Sequence, residues 1–175
     1  MRPRFSAAGL AAVLLLAGAA LCARPGWHLL QEQASILAAR HTWTTSSQPA
    51  AWLRIPDCGL EALVLPGADA DTLSRAAGLV QLADLTVISA HRDRQFHRLA
   101  RLHVGQRVEL EERGGGTRRY TIAEIECIPR ASAERRLRES RGEGWLVLMT
   151  CHPFQVLGPA PNRLLAWARE DACPM

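Results

Sequence analysis

The sequence predicts a mostly β domain, a small barrel or sandwich with one or two short helices, behind an apolar N-terminal segment. Three observations predict it: short strand-forming runs separated by glycine and proline turns, partial two-residue alternation within them, and 19 consecutive uncharged residues from Phe5 to Ala23. At 175 residues the chain holds one domain of ordinary size plus an accessory segment. With 48% hydrophobic and 22% charged residues it is a folding chain, neither disordered nor collagen-like.

The apolar segment comes first. At about 1.5 Å rise per residue, a helix of this length matches the hydrocarbon core of a bilayer. Arg2 and Arg4 precede it, and only Arg24 and Arg40 follow before Gln48, so the basic-residue bias keeps the N-terminus in the cytoplasm and exports the rest. A cleaved signal peptide is the competing reading, with Ala17-Gly18-Ala19 as its small-residue site. The expected organisation is an anchor or signal peptide over 1–24, a helical stalk and linker over 25–49, the domain over 50–170 and a tail over 171–175. Within the stalk, Gln31 to Arg40 reads as a short helix and Thr42 to Pro49 as a polar linker.

Charge excludes one class of partner. The net +4 falls away once Arg2, Arg4 and Arg24 are set apart, leaving 18 arginines against 17 carboxylates, no footprint for nucleic acid. The cluster Arg130, Arg135, Arg136, Arg138 and Arg141 is interleaved with Glu134, Glu139 and Glu143 and reads as a solvated face.

Strands are expected at Ala51–Ile55, Ala62–Leu65, Leu85–Ala90, Arg107–Glu111, Arg119–Ile128, Trp145–Thr150 and Leu164–Arg169. Val108, Leu110, Tyr120, Ile122 and Ile125 carry the alternation, and Gly114-Gly115-Gly116 marks a hairpin turn. Helices are expected at Asp69–Ala77, with the aspartate as cap, and at Ser132–Ser140.

Three side chains can carry chemistry together. The apolar run from Trp145 to Met149 leads into Thr150-Cys151 and is stopped by His152-Pro153, which sets Cys151 at a strand end, where a thiolate gains the partial exposure it needs. Sixty residues upstream, Leu85–Ala90 is a strand of the same design that ends in His91, and imidazole is the side chain suited to shuttle a proton near neutral pH. Arg163 opens the last strand; a guanidinium keeps its proton, so its part would be to hold a substrate carbonyl and the oxyanion formed on attack.

Together these pieces resemble the sortases, membrane-anchored cysteine transpeptidases. The family pattern is a strand ending in histidine, a later strand ending Thr-Leu-x-Thr-Cys, and an arginine opening the next strand. Here these correspond to His91, Val147-Leu148-Met149-Thr150-Cys151 and Arg163. The closer similarity is to the Gram-negative, or proteobacterial, class, through Ala90-His91-Arg92-Asp93, Thr150-Cys151-His152-Pro153-Phe154 and Arg163-Leu164-Leu165-Ala166. It covers roughly Trp52 to Ala168.

The resemblance implies an eight-stranded β-barrel behind a transmembrane helix, with the catalytic domain on the periplasmic side of the inner membrane. It implies Cys151, His91 and Arg163 as the catalytic set, with Thr150, Ala90, Arg92 and Asp93 contributing to substrate binding. Its partners are a target protein carrying an LPxTG-like C-terminal sorting motif and an accepting amine; no cofactor or metal is expected. Ala90 stands where the class has glycine, His152 where it has tyrosine and Val147 where the pattern begins with threonine, and the loop Gly158–Asn162 carries two prolines.

Other classes stand beside this one. His91, His97 and His103 recur at six-residue intervals, a spacing that fits no zinc site, and no dense acidic cluster argues for calcium. An anchored binding module that keeps the barrel without transpeptidase activity, or a simple cysteine hydrolase, has the same sequence signature. Of the five cysteines none forms a C-x-x-C pair, and a disulfide from Cys58 to Cys127, or one with Cys173, is allowed by number.

Overall fold

The computed structural model describes residues 34, 36–43, 50–139, 142–155 and 158–172; the apolar segment Phe5–Ala23 lies outside them. Among the described residues no helix is long and apolar enough to cross a membrane. The chain divides into two units, Met1–Ala39 and Arg40–Met175. The described part of the first unit, 34 and 36–39, is helical, and the helix, α1, runs on to 43. Thr42 and Trp43, expected in the linker, are helical, and the rest of that stretch, 44–49, lies outside the described residues. Trp43 holds the helix end: its carbonyl accepts from Arg113 Nη1 at 2.7 Å, and the Arg113 guanidinium stands 5.5 Å over its ring.

Eight strands follow: β1 (Ala51–Ile55), β2 (Leu60–Pro66), β3 (Ala77–Leu82), β4 (Leu85–Ser89), β5 (Arg107–Glu112), β6 (Thr117–Pro129), β7 (Trp145–His152) and β8 (Asn162–Glu170). They close into a barrel in the order β1-β2-β3-β4-β7-β8-β6-β5, so no sheet edge is left open. Two of the pairings, β2 with β3 and β4 with β7, are parallel. Helix α2 (Ala70–Arg75) serves the first crossover and helix α3 (Arg130–Arg138) lies in the second. As expected, Asp69 caps α2, its carboxylate accepting from the Thr72 amide at 3.0 Å and the Thr72 hydroxyl at 2.8 Å, and these bonds hold its pKa below the ordinary value.

Seven strands agree with the expected runs to within two residues at each end. The eighth, β3, is a correction, since Ala77-Gly78-Leu79-Val80-Gln81-Leu82 has one β-branched residue and a glycine and gives little strand signal of its own. It is made a strand by two neighbours, β2 and β4. Gly78 is required there: a β-carbon at this position would lie 2.3 Å from the Gly67 carbonyl oxygen. Gly78→Ala is expected to push β3 away from the β2–α2 connection and cost about 1–3 kcal/mol, read as a lower urea midpoint with unchanged m. A midpoint equal to wild type would show that the backbone gives way freely.

Alternation sorts side chains to two sides of the wall. Leu53, Ile55, Leu60, Ile88, Leu110, Ile122, Leu146 and Leu148 fill the barrel interior, and Phe96, Leu99 and Leu102, from the segment after β4, join them. On the outer side of β4, β7 and β8 a second cluster joins Leu85, Val87, Val147, Leu165 and Trp167 to Leu137 of α3. This stretch of wall is thus apolar on both faces, which accounts for the unbroken apolar runs of β7 and β8. The arginine-rich cluster is divided by the same geometry. Arg138 pairs with Glu134 on the exposed side, whereas Arg136 lies 4.8 Å over the Trp167 ring and pairs with Glu126, which also accepts from the Trp167 indole.

Tyr120, the single tyrosine, is 1% exposed in the interior, and burial pushes its phenol from 10.0 up to about 12. A folded-state pKa above the unfolded one favours folding fully below pH 10, and that contribution is lost as pH rises from about 10 through about 12. The phenolate absorbance of the native protein is therefore expected to rise near pH 12, and Tyr120→Phe to flatten the loss of stability across that interval. A native midpoint at pH 10 would contradict the burial argument.

Candidate active site

The site is built by register. Strands β4 and β7 pair in parallel from Leu85 with Trp145 to Ser89 with Met149, a constant offset of sixty. The Ala90 amide donates to the Met149 carbonyl at 3.2 Å and carries the ladder one step further. Continued once more, the same offset brings His91 opposite Cys151. In the antiparallel pair β7–β8, Cys151 is the direct partner of Arg163. Cys151 thus lies near the end of β7 with Arg163 beside it near the start of β8, and His91 stands two residues past the end of β4, neighbouring strands lying about 4.8 Å apart.

Alternation also decides the side. Val147 and Met149 belong to the outer cluster, so Cys151, two residues on, shares their face, as Arg163 shares that of Leu165 and Trp167. At this end of the barrel His91, Arg92 and Asp93 after β4 meet Cys151, Phe154, Gln155 and Gly158 around a cavity of about 330 Å³. Cys151 is half-buried and His91 exposed, the accessibility a nucleophile and its proton carrier need. His91 is held by its own backbone, its carbonyl accepting from the amides of Arg94 at 3.3 Å and Phe96 at 3.1 Å, with the Phe96 ring fully buried beneath.

The seven sequence-derived positions separate into three groups. His91, Cys151, Arg92 and Asp93 line the cavity. Arg92, only 8% exposed, donates from Nη2 to the Gly158 carbonyl at 2.7 Å and ties the exit of β4 to the loop before β8. Arg163 is in register with Cys151 but does not line the cavity; its Nη1 donates to the Asn162 carbonyl at 3.1 Å.

Thr150 and Ala90, expected at the substrate, are placed away from this cavity. Both are buried on the interior side, and the Thr150 hydroxyl donates to the Ala90 carbonyl at 2.8 Å, so neither reaches the cavity. The period of two that turns Cys151 outward turns Thr150 inward. Their bond fastens the end of β7 to the segment after β4, immediately beside His91 and Cys151. Phe154, Gln155 and Gly158 were not foreseen as lining. Phe154 stands in the cysteine motif and Gly158 in the proline loop, whereas Gln155 has no local signal.

Cys58, Cys127 and Cys151 are free thiols, which removes the Cys58–Cys127 bridge allowed by number. Cys58 lies in the turn after β1, and burial pushes its thiol up despite the bond from the Leu60 amide. Among the described residues no three His, Cys, Asp or Glu side chains are grouped to hold a metal ion.

A closed barrel with a cysteine set between a histidine and an arginine at one rim defines a class of cysteine enzyme scaffold. The sortase domain family matches residues 53–171, and the chain belongs to that family. Sortase D of Bacillus subtilis strain 168 is 27% identical over 131 residues, covering 71% of this chain; the chain spans 65% of that relative's length. Among solved structures, the pilus-related sortase C of Group B Streptococcus superposes with a TM-score of 0.61 at 22% identity, over 71% of this chain and 68% of that one. Sortase C of Streptococcus pneumoniae gives 0.63 at 22%, over 75% and 74%, and sortase A of Corynebacterium diphtheriae 0.63 at 20%, over 74% and 64%. These likenesses show the fold.

Proposed function

We propose that this protein is a membrane-anchored cysteine transpeptidase of the proteobacterial sortase class, with Cys151, His91 and Arg163 as its catalytic set. The observation that carries the reading is the cavity that Cys151 and His91 both line, with Arg163 the direct partner of Cys151 across β7 and β8. In this reading Cys151 attacks the carbonyl carbon of the scissile peptide bond, and the tetrahedral oxyanion collapses to a thioester as His91 protonates the departing amine. His91 then takes a proton from the incoming amine, which attacks the thioester and frees the thiol. Arg163 stabilises both oxyanions after its guanidinium turns from the Asn162 carbonyl toward the cavity.

The substrate is a target protein with an LPxTG-like motif near its C-terminus, and the acceptor is a primary amine. The segment Phe5–Ala23, with Arg2 and Arg4 before it, supports a single inner-membrane anchor and a periplasmic barrel. The class assignment rests on Ala90-His91-Arg92-Asp93 and Thr150-Cys151-His152-Pro153-Phe154.

The test incubates the protein with peptides carrying LPxTG-like motifs and follows intact mass. A thioester adduct on Cys151 that is released as peptide–amine product when an amine is supplied supports the transpeptidase. Release only as free acid points to a hydrolase. An unmodified, reduced Cys151 across a broad peptide set points to the binding module.

A further inference from the structure

We propose that Cys127 and His152 form a second reactive thiol site, which takes up small disulfides by thiol–disulfide exchange. Cys127 on β6 is exposed, and its sulfur lies 3.1 Å from Nδ1 of His152 at the end of β7. The contact is set by topology. Cys127 pairs with Leu164 and His152 with Asn162, so the two approach diagonally across β8. They share the interior side of the wall, the side of Thr150 and Leu164, at its open rim.

Cys151, one residue before His152, faces the other way. Neither Cys127 nor His152 lines the cavity, and β8 lies between Cys127 on β6 and Cys151 on β7. The His152 ring also makes an edge-on contact with Phe154 of the cavity lining, ring centroids 5.9 Å apart. An exposed thiol held against an oriented imidazole is the arrangement that turns a thiol into a nucleophile.

The exchange balances with one co-reactant, a low-molecular-weight disulfide. His152 accepts the thiol proton, and the Cys127 sulfur attacks one sulfur of the disulfide. The new S–S bond forms as the old one breaks, and the departing thiolate takes the proton from the imidazolium. Cys127 is oxidised, the leaving sulfur is reduced, and one thiol is released per thiol consumed. Cys58, 6% exposed, takes no part and serves as an internal marker of an intact barrel.

The experiment uses the full reduced chain carrying Cys151→Ala, so that the nucleophile of the proposed function cannot react. It is incubated with oxidised glutathione, quenched with acid over time, and mapped by peptide mass. Cys127 is expected to gain one dithiothreitol-removable glutathionyl group, at least about five times faster than in the same chain carrying His152→Gln, with Cys58 unmodified in both. Equal rates with Cys58 silent, or no modification of Cys127, would overturn the proposal. Should His152→Gln expose Cys58, the reference becomes a free peptide of residues 120–130. Faster exchange in the folded chain than in that peptide supports the site, and equal exchange overturns it. Failure of the transpeptidase reading leaves this outcome unaffected.

Discussion

Cys151→Ala is expected to abolish acyl-enzyme formation completely while leaving the barrel as stable as before. The thiol is the group that would become covalently bound, so its loss is not a matter of degree. Structurally the change is small: Cys151 is half-buried near the end of β7, where the β4 and β8 ladders are carried by backbone groups that alanine also supplies. A stability change within about 1 kcal/mol is expected. Intact mass after incubation with motif peptides and a thermal melt read the two halves of the prediction. An adduct that survives in Cys151→Ala would move the nucleophile elsewhere, with Cys127 the first position to examine.

The next largest effect is expected from Arg163. Removing a group that stabilises an oxyanion costs on the order of 10²–10³ in rate, and Arg163→Ala should lower thioester formation by that factor, with a much smaller effect on peptide KM. Register makes the arginine a direct neighbour of Cys151, while its guanidinium rests on the Asn162 carbonyl rather than in the cavity. The proposed function therefore requires a side-chain rotation, with the backbone of β8 in place throughout. Arg163→Lys should recover part of the loss, because an ammonium carries the charge without the planar fork. The rate of the first turnover, measured beside a thermal melt, separates this from a structural role. Wild-type kinetics in Arg163→Ala would leave the oxyanion to backbone amides.

How far these residues could be read in advance differs from one to the next. His91 and Cys151 could be read as candidates because each stands where an apolar, strand-forming run is abruptly stopped. Their separation of sixty also equals the register offset of β4 and β7. That equality could be known only once the two strands were seen as parallel neighbours. Arg163 was legible as the opening of a strand and by resemblance, yet its rotamer was not. Strand β3 was invisible for a related reason, since Gly78 has no propensity of its own and is a strand residue because Leu65 and Ser89 flank it.

Thr150 and Ala90 show what adjacency in the chain leaves undecided. Both adjoin the catalytic candidates in the chain and were assigned to substrate, but a strand sends successive side chains to opposite faces, and these two face the interior. By itself the sequence determined the strands with strong alternation or apolar runs, the glycine hairpin, the Asp69 cap, and the residue types able to do the chemistry, because these depend on neighbours a few positions away. Tertiary structure alone decided which strands lie side by side, which face each residue takes, where Arg163 rests and that Cys127 meets His152. Pairing between strands tens of residues apart is settled by closing the barrel and burying both faces of β4, β7 and β8, and no local pattern encodes that.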